Sequence, residues 1–148
     1  LRMERHMRNT QAVVHYLDAH PMVERVGHPL LTSHPSHALS QTLLPRGAGS
    51  VFSFDIKGSK AQGQAFVQAL KVFSHLANVG DAKSLVIQPA TTTHFRMDAA
   101  ALATAGIKPG TVRLSVGLED EVDLIDDLKR ALKAAERAAD NTNVKTGA

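Results

Sequence analysis

The segment from Thr111 to Asp120 constrains the fold of this chain more than any other part of the sequence. Its apolar residues at 112, 114 and 116 alternate with polar ones, which predicts a β-strand with one apolar and one polar face. A glycine then ends the alternation, and Asp120 is a residue type that caps helix N-termini. The segment therefore predicts a strand that leads directly into a helix.

Arg113 lies in the middle of this predicted strand. A charged side chain in a largely buried strand is costly unless it has an anion to bind. The planar guanidinium suits a carboxylate, because it can donate two parallel hydrogen bonds. The residues alone leave two interpretations open: an internal ion pair with one of the 14 acidic residues, or a site for an acidic ligand.

The rest of the chain interleaves helical and strand patterns. Helices are predicted over residues 1–19, 36–43, 60–73, 98–104 and 120–139, and strands over 22–26, 50–56, 84–88 and the segment with Arg113. Three to four strands with four or five helices indicate an α/β chain, an α+β sandwich in which helices cover one face of a small sheet. We expect one domain over residues 1–140 and a flexible polar tail over 141–148.

Composition excludes several classes of protein. The chain contains no cysteine, which excludes disulfides and thiolate metal sites, fits a reducing compartment and leads us to expect a cytoplasmic protein. No apolar run of about 18 residues is present, so we expect no membrane span. The net charge of +3 is scattered, which argues against a nucleic-acid partner. His34 and His37 have ligand-like spacing but no acidic or cysteine neighbour, so we expect no metal site.

Two segments carry a resemblance to a known family. One runs from Phe73 to His94 and contains Ala-Asn-Val-Gly-Asp-Ala-Lys-Ser-Leu, and the other runs from Val112 to Asp120 and contains Arg-Leu-Ser. They resemble the C-terminal part of the Cys/Met-metabolism enzymes that depend on pyridoxal 5′-phosphate (PLP), and most closely the O-acetylhomoserine sulfhydrylases. The resemblance implies the C-terminal domain of a fold-type I PLP-dependent transferase, with a mainly antiparallel sheet that caps a larger N-terminal PLP-binding domain.

The resemblance also implies roles for individual residues. Arg113 would clamp the α-carboxylate of the substrate, and Ser84 would add a second contact through its backbone or hydroxyl, unless its hydroxyl only bonds locally at the start of a strand. Asn78 would lie at the rim of the site, although it could instead cap a helix C-terminus before a glycine. Lys83 stands where relatives acting on cystathionine commonly carry Glu, so a neutral ester substrate fits better, unless Lys83 is only a solvated surface charge. His94 is expected to have a structural role.

The implied reaction replaces the acetate of O-acetylhomoserine with sulfide or a thiol, giving homocysteine or methionine. The family's cofactor-binding lysine lies upstream of the matching segment, and the chain opens in a predicted helix without an initiator Met, so we expect an inactive piece of a longer, homotetrameric enzyme with no catalytic residue of its own. O-succinylhomoserine sulfhydrylase and cystathionine or methionine γ-lyase are alternatives within the family. A stand-alone amino-acid-binding module and an oligomerisation domain are alternatives outside it.

Overall fold

The computed structural model describes residues 1–92 and 99–145 of the chain. Its strands are β1 (Val23–Gly27), β2 (Val51–Ile56), β3 (Ser74–His75), β4 (Leu85–Ile87) and β5 (Thr111–Ser115). Its helices are α1 (Arg2–Asp18), α2 (His37–Leu43), α3 (Lys60–Ala69), α4 (Ala99–Thr104) and α5 (Glu121–Lys145), and a short 3-10 turn spans Pro89–Thr91.

The strands form a single five-stranded sheet in the order β1-β2-β5-β4-β3. Neighbouring strands are antiparallel except β3 and β4, which are parallel, so the prediction of a mainly antiparallel sheet is confirmed. The part of the chain that the structure describes has one more strand than the four expected at most. The additional strand β3 has only two residues, too few for an alternating pattern to reveal it.

Helices pack on one face of the sheet, as the sequence predicts. The apolar residues of β5, Val112 and Leu114, are fully buried on this face, together with Val116 just beyond the strand. Helix α5 packs against both α1 and α3, and α1 also contacts β1. Because the helices cover the apolar face of β5, the polar residues of that strand lie on the opposite face of the sheet.

Helix α3 ends earlier than predicted, at Ala69 instead of Phe73. The carboxylate of Asp127 on α5 accepts hydrogen bonds from the backbone N–H groups of Lys71, Val72 and Phe73 at 2.8–3.2 Å. These donors would otherwise bond to carbonyls of α3, so the buried carboxylate supplies the acceptors that draw the chain out of the helix.

Helix α5 begins where predicted and ends later than predicted. The Asp120 carboxylate accepts a hydrogen bond from Val122 N at 3.0 Å, as expected of an N-terminal cap. The helix then continues to Lys145, so the segment expected as a tail from 141 is helical to that point. No proline or glycine interrupts the sequence before residue 147, which allows the helix to propagate. Within the described residues, no helix is both long enough and apolar enough to cross a membrane.

Candidate functional site

Arg113 lies on the face of the sheet opposite the helices. It pairs with Ser53 of β2 on one side and with Ile87 of β4 on the other, and its side chain is only partly buried. Within residues 1–92 and 99–145, Arg113 makes no ion pair and no side-chain hydrogen bond. The interpretation of Arg113 as half of an internal ion pair therefore has no support in this part of the structure, and the guanidinium is available to an external anion.

The carboxylate of Asp55 lies on the same face of the sheet as Arg113, but it is already bonded to other residues. Asp55 is fully buried and pairs in register with Thr111, two residues from Arg113 along β5. It accepts a hydrogen bond from Thr111 Oγ1 at 2.6 Å and from Arg25 Nε at 3.2 Å. Lys108 Nζ lies 3.9 Å from the same carboxylate. These contacts provide the Asp55 carboxylate with hydrogen-bond donors and with positive charge, so it does not need Arg113 as a partner.

Ser84 does not lie beside the Arg113 side chain. By the alternation of β4, Ser84 falls on the face of Val86, whereas Arg113 shares the opposite face with Ile87. Ser84 is completely buried, and both of its donors bind one carboxylate: its N–H reaches Glu119 Oε1 at 2.6 Å and its hydroxyl reaches Glu119 Oε2 at 2.8 Å. The Ser84 hydroxyl therefore bonds within the protein, but to a residue 35 positions away and not locally at the start of the strand. The expected hydroxyl contact with a substrate carboxylate does not fit this geometry.

The turn before Ser84 carries the two residues that are predicted to lie at the rim of the site. Asn78 and Lys83 are both exposed, and Asn78 Oδ1 accepts from the N–H of Val79 at 2.9 Å. Asn78 follows β3 and lies well past the end of α3, so it does not cap a helix. Gly80 has a φ of +70°, which glycine adopts without strain, and its N–H donates to Ser115 Oγ at 3.2 Å. The turn therefore reaches the face of the sheet that carries Arg113.

Sequence reasoning missed the role of Glu119. The partner of Glu119 is 35 residues away, so local pattern does not reveal it. A signal was present nonetheless: Gly117 lies so close to Ala82 O and Ser84 N that a β-carbon there would fall 2.4–2.5 Å from them. A glycine at the end of a strand is a sign of such close backbone approach.

The histidines singled out in the sequence have local roles. His34 Nδ1 accepts from Ser36 N at 3.2 Å, and His37 Nδ1 lies 2.8 Å from Pro29 O. In the described ranges, no group of three His, Cys, Asp or Glu side chains is placed to hold a metal ion. His94 lies outside the described residues.

The sheet and its helices agree with what comparison with known proteins shows. Residues 1–133 match the family model "Cys/Met metabolism PLP-dependent enzyme", which accounts for most of the chain. The chain belongs to this family. Its similarity to individual members is high but covers only part of their length.

Among curated proteins, the chain is 47% identical over 135 residues to the homocysteine synthase of Schizosaccharomyces pombe, covering 91% of this chain and 32% of that protein. It is 47% identical over 134 residues to the O-acetyl-L-homoserine sulfhydrylase of Corynebacterium glutamicum, covering 90% and 31%. Mouse cystathionine gamma-lyase is 44% identical over 135 residues, covering 91% and 34%. The chain thus spans about a third of the length of the curated relatives it matches.

Among solved structures, the cystathionine gamma synthase of Xanthomonas oryzae, in complex with cystathionine, superposes with a TM-score of 0.84. The two sequences are 40% identical, and the match covers 93% of this chain and 35% of that one. This likeness confirms the predicted fold class, a small sheet with helices as in the C-terminal part of fold-type I enzymes.

The family depends on PLP, and the residues described here do not fit a site for that cofactor. A lysine that binds PLP covalently must lie where the cofactor can be enclosed. Every lysine whose side chain the structure describes is exposed: Lys57, Lys60, Lys71, Lys83, Lys108, Lys129 and Lys133. The described part of the chain therefore has an arginine without an ionic partner, but no enclosed lysine for the cofactor.

Proposed function

We propose that this chain is the C-terminal, carboxylate-binding part of an O-acetylhomoserine sulfhydrylase-like enzyme. The reaction of the whole enzyme replaces the acetate of O-acetylhomoserine with sulfide or a thiol. The observation that carries the proposal is the partly buried Arg113 side chain, which lies on a rigid strand and has no ionic partner in the described part.

Arg113 would hold and orient the substrate. A guanidinium can donate two parallel hydrogen bonds to a carboxylate, which fixes the plane of the carboxylate as well as its position. Strand β5 is paired on both sides, with β2 and β4, so the arginine backbone cannot shift easily. Such a clamp sets the orientation of the reacting α-carbon before any bond changes, and orientation accounts for much of the rate of an enzyme reaction.

Two observations support an ester substrate over cystathionine. The sulfhydrylase from Corynebacterium glutamicum is somewhat more similar to this chain than mouse cystathionine gamma-lyase is, at 47% against 44% identity. Lys83 is exposed on the turn that Gly80 attaches to the Arg113 face, and a cation at the rim of the site would repel the distal ammonium group of cystathionine. O-succinylhomoserine sulfhydrylase and the γ-lyases are the competing assignments, and the rates of acetyl ester, succinyl ester and cystathionine turnover distinguish them.

We further propose that the chain alone is inactive and that the cofactor, its lysine and most of the contacts of a homotetramer come from the remaining two thirds of such an enzyme. The exposed lysines support this division. Calorimetry of the isolated chain with free amino acids is expected to show no binding. Tight binding without PLP would favour an amino-acid-binding module instead. The cytoplasmic location stays a prediction.

A chimaera tests the proposal. This chain replaces the matching third of the Corynebacterium glutamicum O-acetyl-L-homoserine sulfhydrylase, and kcat/KM is measured with O-acetylhomoserine and sulfide. Arg113→Lys keeps the charge but loses the planar pair of donors, so kcat/KM is expected to fall about 10- to 100-fold. Arg137→Lys, an exposed site on α5, is the matched control and should leave kcat/KM unchanged. An Arg113→Lys chimaera as active as the parent would refute the role of Arg113.

A further inference from the structure

The carboxylate of Glu119 joins two stretches of chain that are distant in sequence. It accepts both donors of Ser84, the N–H at 2.6 Å and the hydroxyl at 2.8 Å. The Ser84 hydroxyl in turn accepts a hydrogen bond from Gly117 N at 2.8 Å. Leu118 N adds a backbone hydrogen bond of 2.9 Å to Ala82 O. Residues 82–84 are therefore held firmly against residues 117–119, immediately after β5.

The same turn is attached a second time, on the other face of the sheet. The N–H of Gly80 donates to Ser115 Oγ at 3.2 Å. Ser115 shares its face with Arg113, because the two residues are two positions apart on β5. The turn from 78 to 84 thus runs from the Arg113 face, at Gly80, to the helix-covered face, at Ser84. The Glu119 contacts thus hold one end of this turn and the Gly80–Ser115 hydrogen bond holds the other.

These contacts also limit what Ser84 can do. A serine has one hydroxyl proton and one backbone N–H to donate, and Glu119 accepts both. The hydroxyl is buried, and it lies on the face opposite Arg113. A direct hydrogen bond from Ser84 to a ligand carboxylate would require Glu119 to be displaced, which would leave a partly buried charge without its partners.

We propose that Glu119 is a positioning residue for the substrate-carboxylate site, and that Ser84 acts through Glu119 and not by contact with the substrate. The proposal rests on the function proposed for Arg113. Glu119 holds the turn from 78 to 84 so that its exposed residues form one wall of the site beside the guanidinium. Loss of the Glu119–Ser84 hydrogen bonds leaves Arg113 intact but lets the turn from 78 to 84 move. Substrate affinity then falls, although the guanidinium can still bind the substrate carboxylate.

The chimaera described above provides the experiment, with KM for O-acetylhomoserine as the quantity measured. Glu119→Ala is expected to raise KM about fivefold or more, because the turn loses both of the hydrogen bonds that Ser84 donates to the Glu119 carboxylate. Glu119→Gln keeps one oxygen acceptor and a similar volume, so the rise should be partly rescued, to about twofold. A purely structural role would lower the amount of folded enzyme without changing KM. Glu136→Ala, an exposed site on α5, is the control and should leave KM unchanged.

A double-mutant cycle separates the two possible roles of Ser84. If Ser84 acts through Glu119, Ser84→Ala raises KM about threefold alone and adds nothing in the Glu119→Ala background. An equal rise in both backgrounds shows direct contact with the substrate and overturns the proposal. An unchanged KM in Glu119→Ala overturns it as well. If Glu119→Ala does not fold, Glu119→Gln takes its place in the cycle.

The Arg113→Lys chimaera makes the two failures distinguishable. A large loss in Arg113→Lys together with no change in the Glu119 variants refutes the positioning role alone. No loss in Arg113→Lys refutes the carboxylate site, and the positioning role with it.

Discussion

Thr111 donates a hydrogen bond of 2.6 Å to the buried carboxylate of Asp55, directly across the β2–β5 pair and next to the position of Arg113 on the same face. Asp55 is thus a diagonal neighbour of Arg113, at a separation of about 7–8 Å that a long side chain can span. The two residues have opposite charges and yet are not paired. Asp55 instead takes Arg25 at 3.2 Å and Lys108 at 3.9 Å.

We predict that these two cations keep Asp55 from competing for Arg113. Replacing both, in Arg25→Met/Lys108→Met, leaves the carboxylate with Thr111 alone. The expected gain of an Asp55–Arg113 ion pair of about 1 kcal/mol would raise KM of the chimaera for O-acetylhomoserine about fivefold. Because dissolved salt screens the attraction between Asp55 and Arg113, the rise in KM should be smaller at high ionic strength.

A third substitution tests the cause. Adding Asp55→Asn to the double variant removes the competing charge but keeps an oxygen that can accept from Thr111. KM should then return to the value of the parent chimaera. If KM stays high in the triple variant, the cations act on the site in some other way, and the competition is disproved.

The sequence predicts well those elements whose faces differ in polarity. The alternating pattern predicts strands β2 and β5 to within a residue or so, because each has an apolar face packed under helices and a polar face opposite. The two-residue strand β3 gives no such pattern. The end of α3 was misplaced because it depends on Asp127, which lies 54–56 residues away in sequence, and no local signal encodes that contact.

The same contrast applies to the site. Arg113 could be singled out because a charge inside a strand pattern is unusual, whatever the rest of the chain does. The environment of Ser84 could not be predicted, since it depends on the chain returning past Gly117 to bring Glu119 alongside. The resemblance pointed to Ser84 as important, and the structure shows that its hydroxyl faces a protein carboxylate.

Three His-Pro-Xaa triplets form the same turn. In each, the histidine Nδ1 accepts a hydrogen bond from the backbone N–H two residues on: His20 from Met22, His28 from Leu30 and His34 from Ser36, at 3.1–3.2 Å. A ring nitrogen that accepts carries no proton, so the turn needs the neutral imidazole. Protonation of Nδ1 in His20 or His28 therefore removes this hydrogen bond.

We predict that His28 makes the chain less stable at acidic pH. Burial lowers the pKa of His28, against an opposing effect of the Gly49 backbone and with a smaller contribution from His34 in the same direction as burial. The unfolded chain therefore binds more protons than the folded one as pH falls below about 6.5, and the free energy of unfolding decreases. His20, whose pKa is also lowered, mainly by burial, contributes in the same direction.

Two substitutions distinguish the effect of His28 protonation from the effect of losing its hydrogen bond to Leu30 N–H. His28→Asn keeps an acceptor for Leu30 N–H, and His28→Phe does not; neither titrates. Urea unfolding of the chain at pH 7.5 and at pH 5.5 should show a smaller loss of stability on acidification in both variants. Only His28→Phe should also lose stability at pH 7.5. An unchanged pH dependence in both would show that His28 does not control it.

The final prediction concerns Asp127, whose buried carboxylate ends α3. In addition to the three backbone donors of Lys71, Val72 and Phe73, Asp127 pairs with Arg130 one turn further along α5. Asp127→Ala leaves these donors without an acceptor, at an expected cost of about 3 kcal/mol in the free energy of unfolding. Asp127→Asn keeps one oxygen and should lose about half as much.

Asp126→Ala, exposed and adjacent, should change stability by less than about 0.5 kcal/mol. Urea denaturation of the chain measures all three, and a loss below about 1 kcal/mol in Asp127→Ala would mean that the N–H groups find other acceptors by continuing α3 toward Phe73.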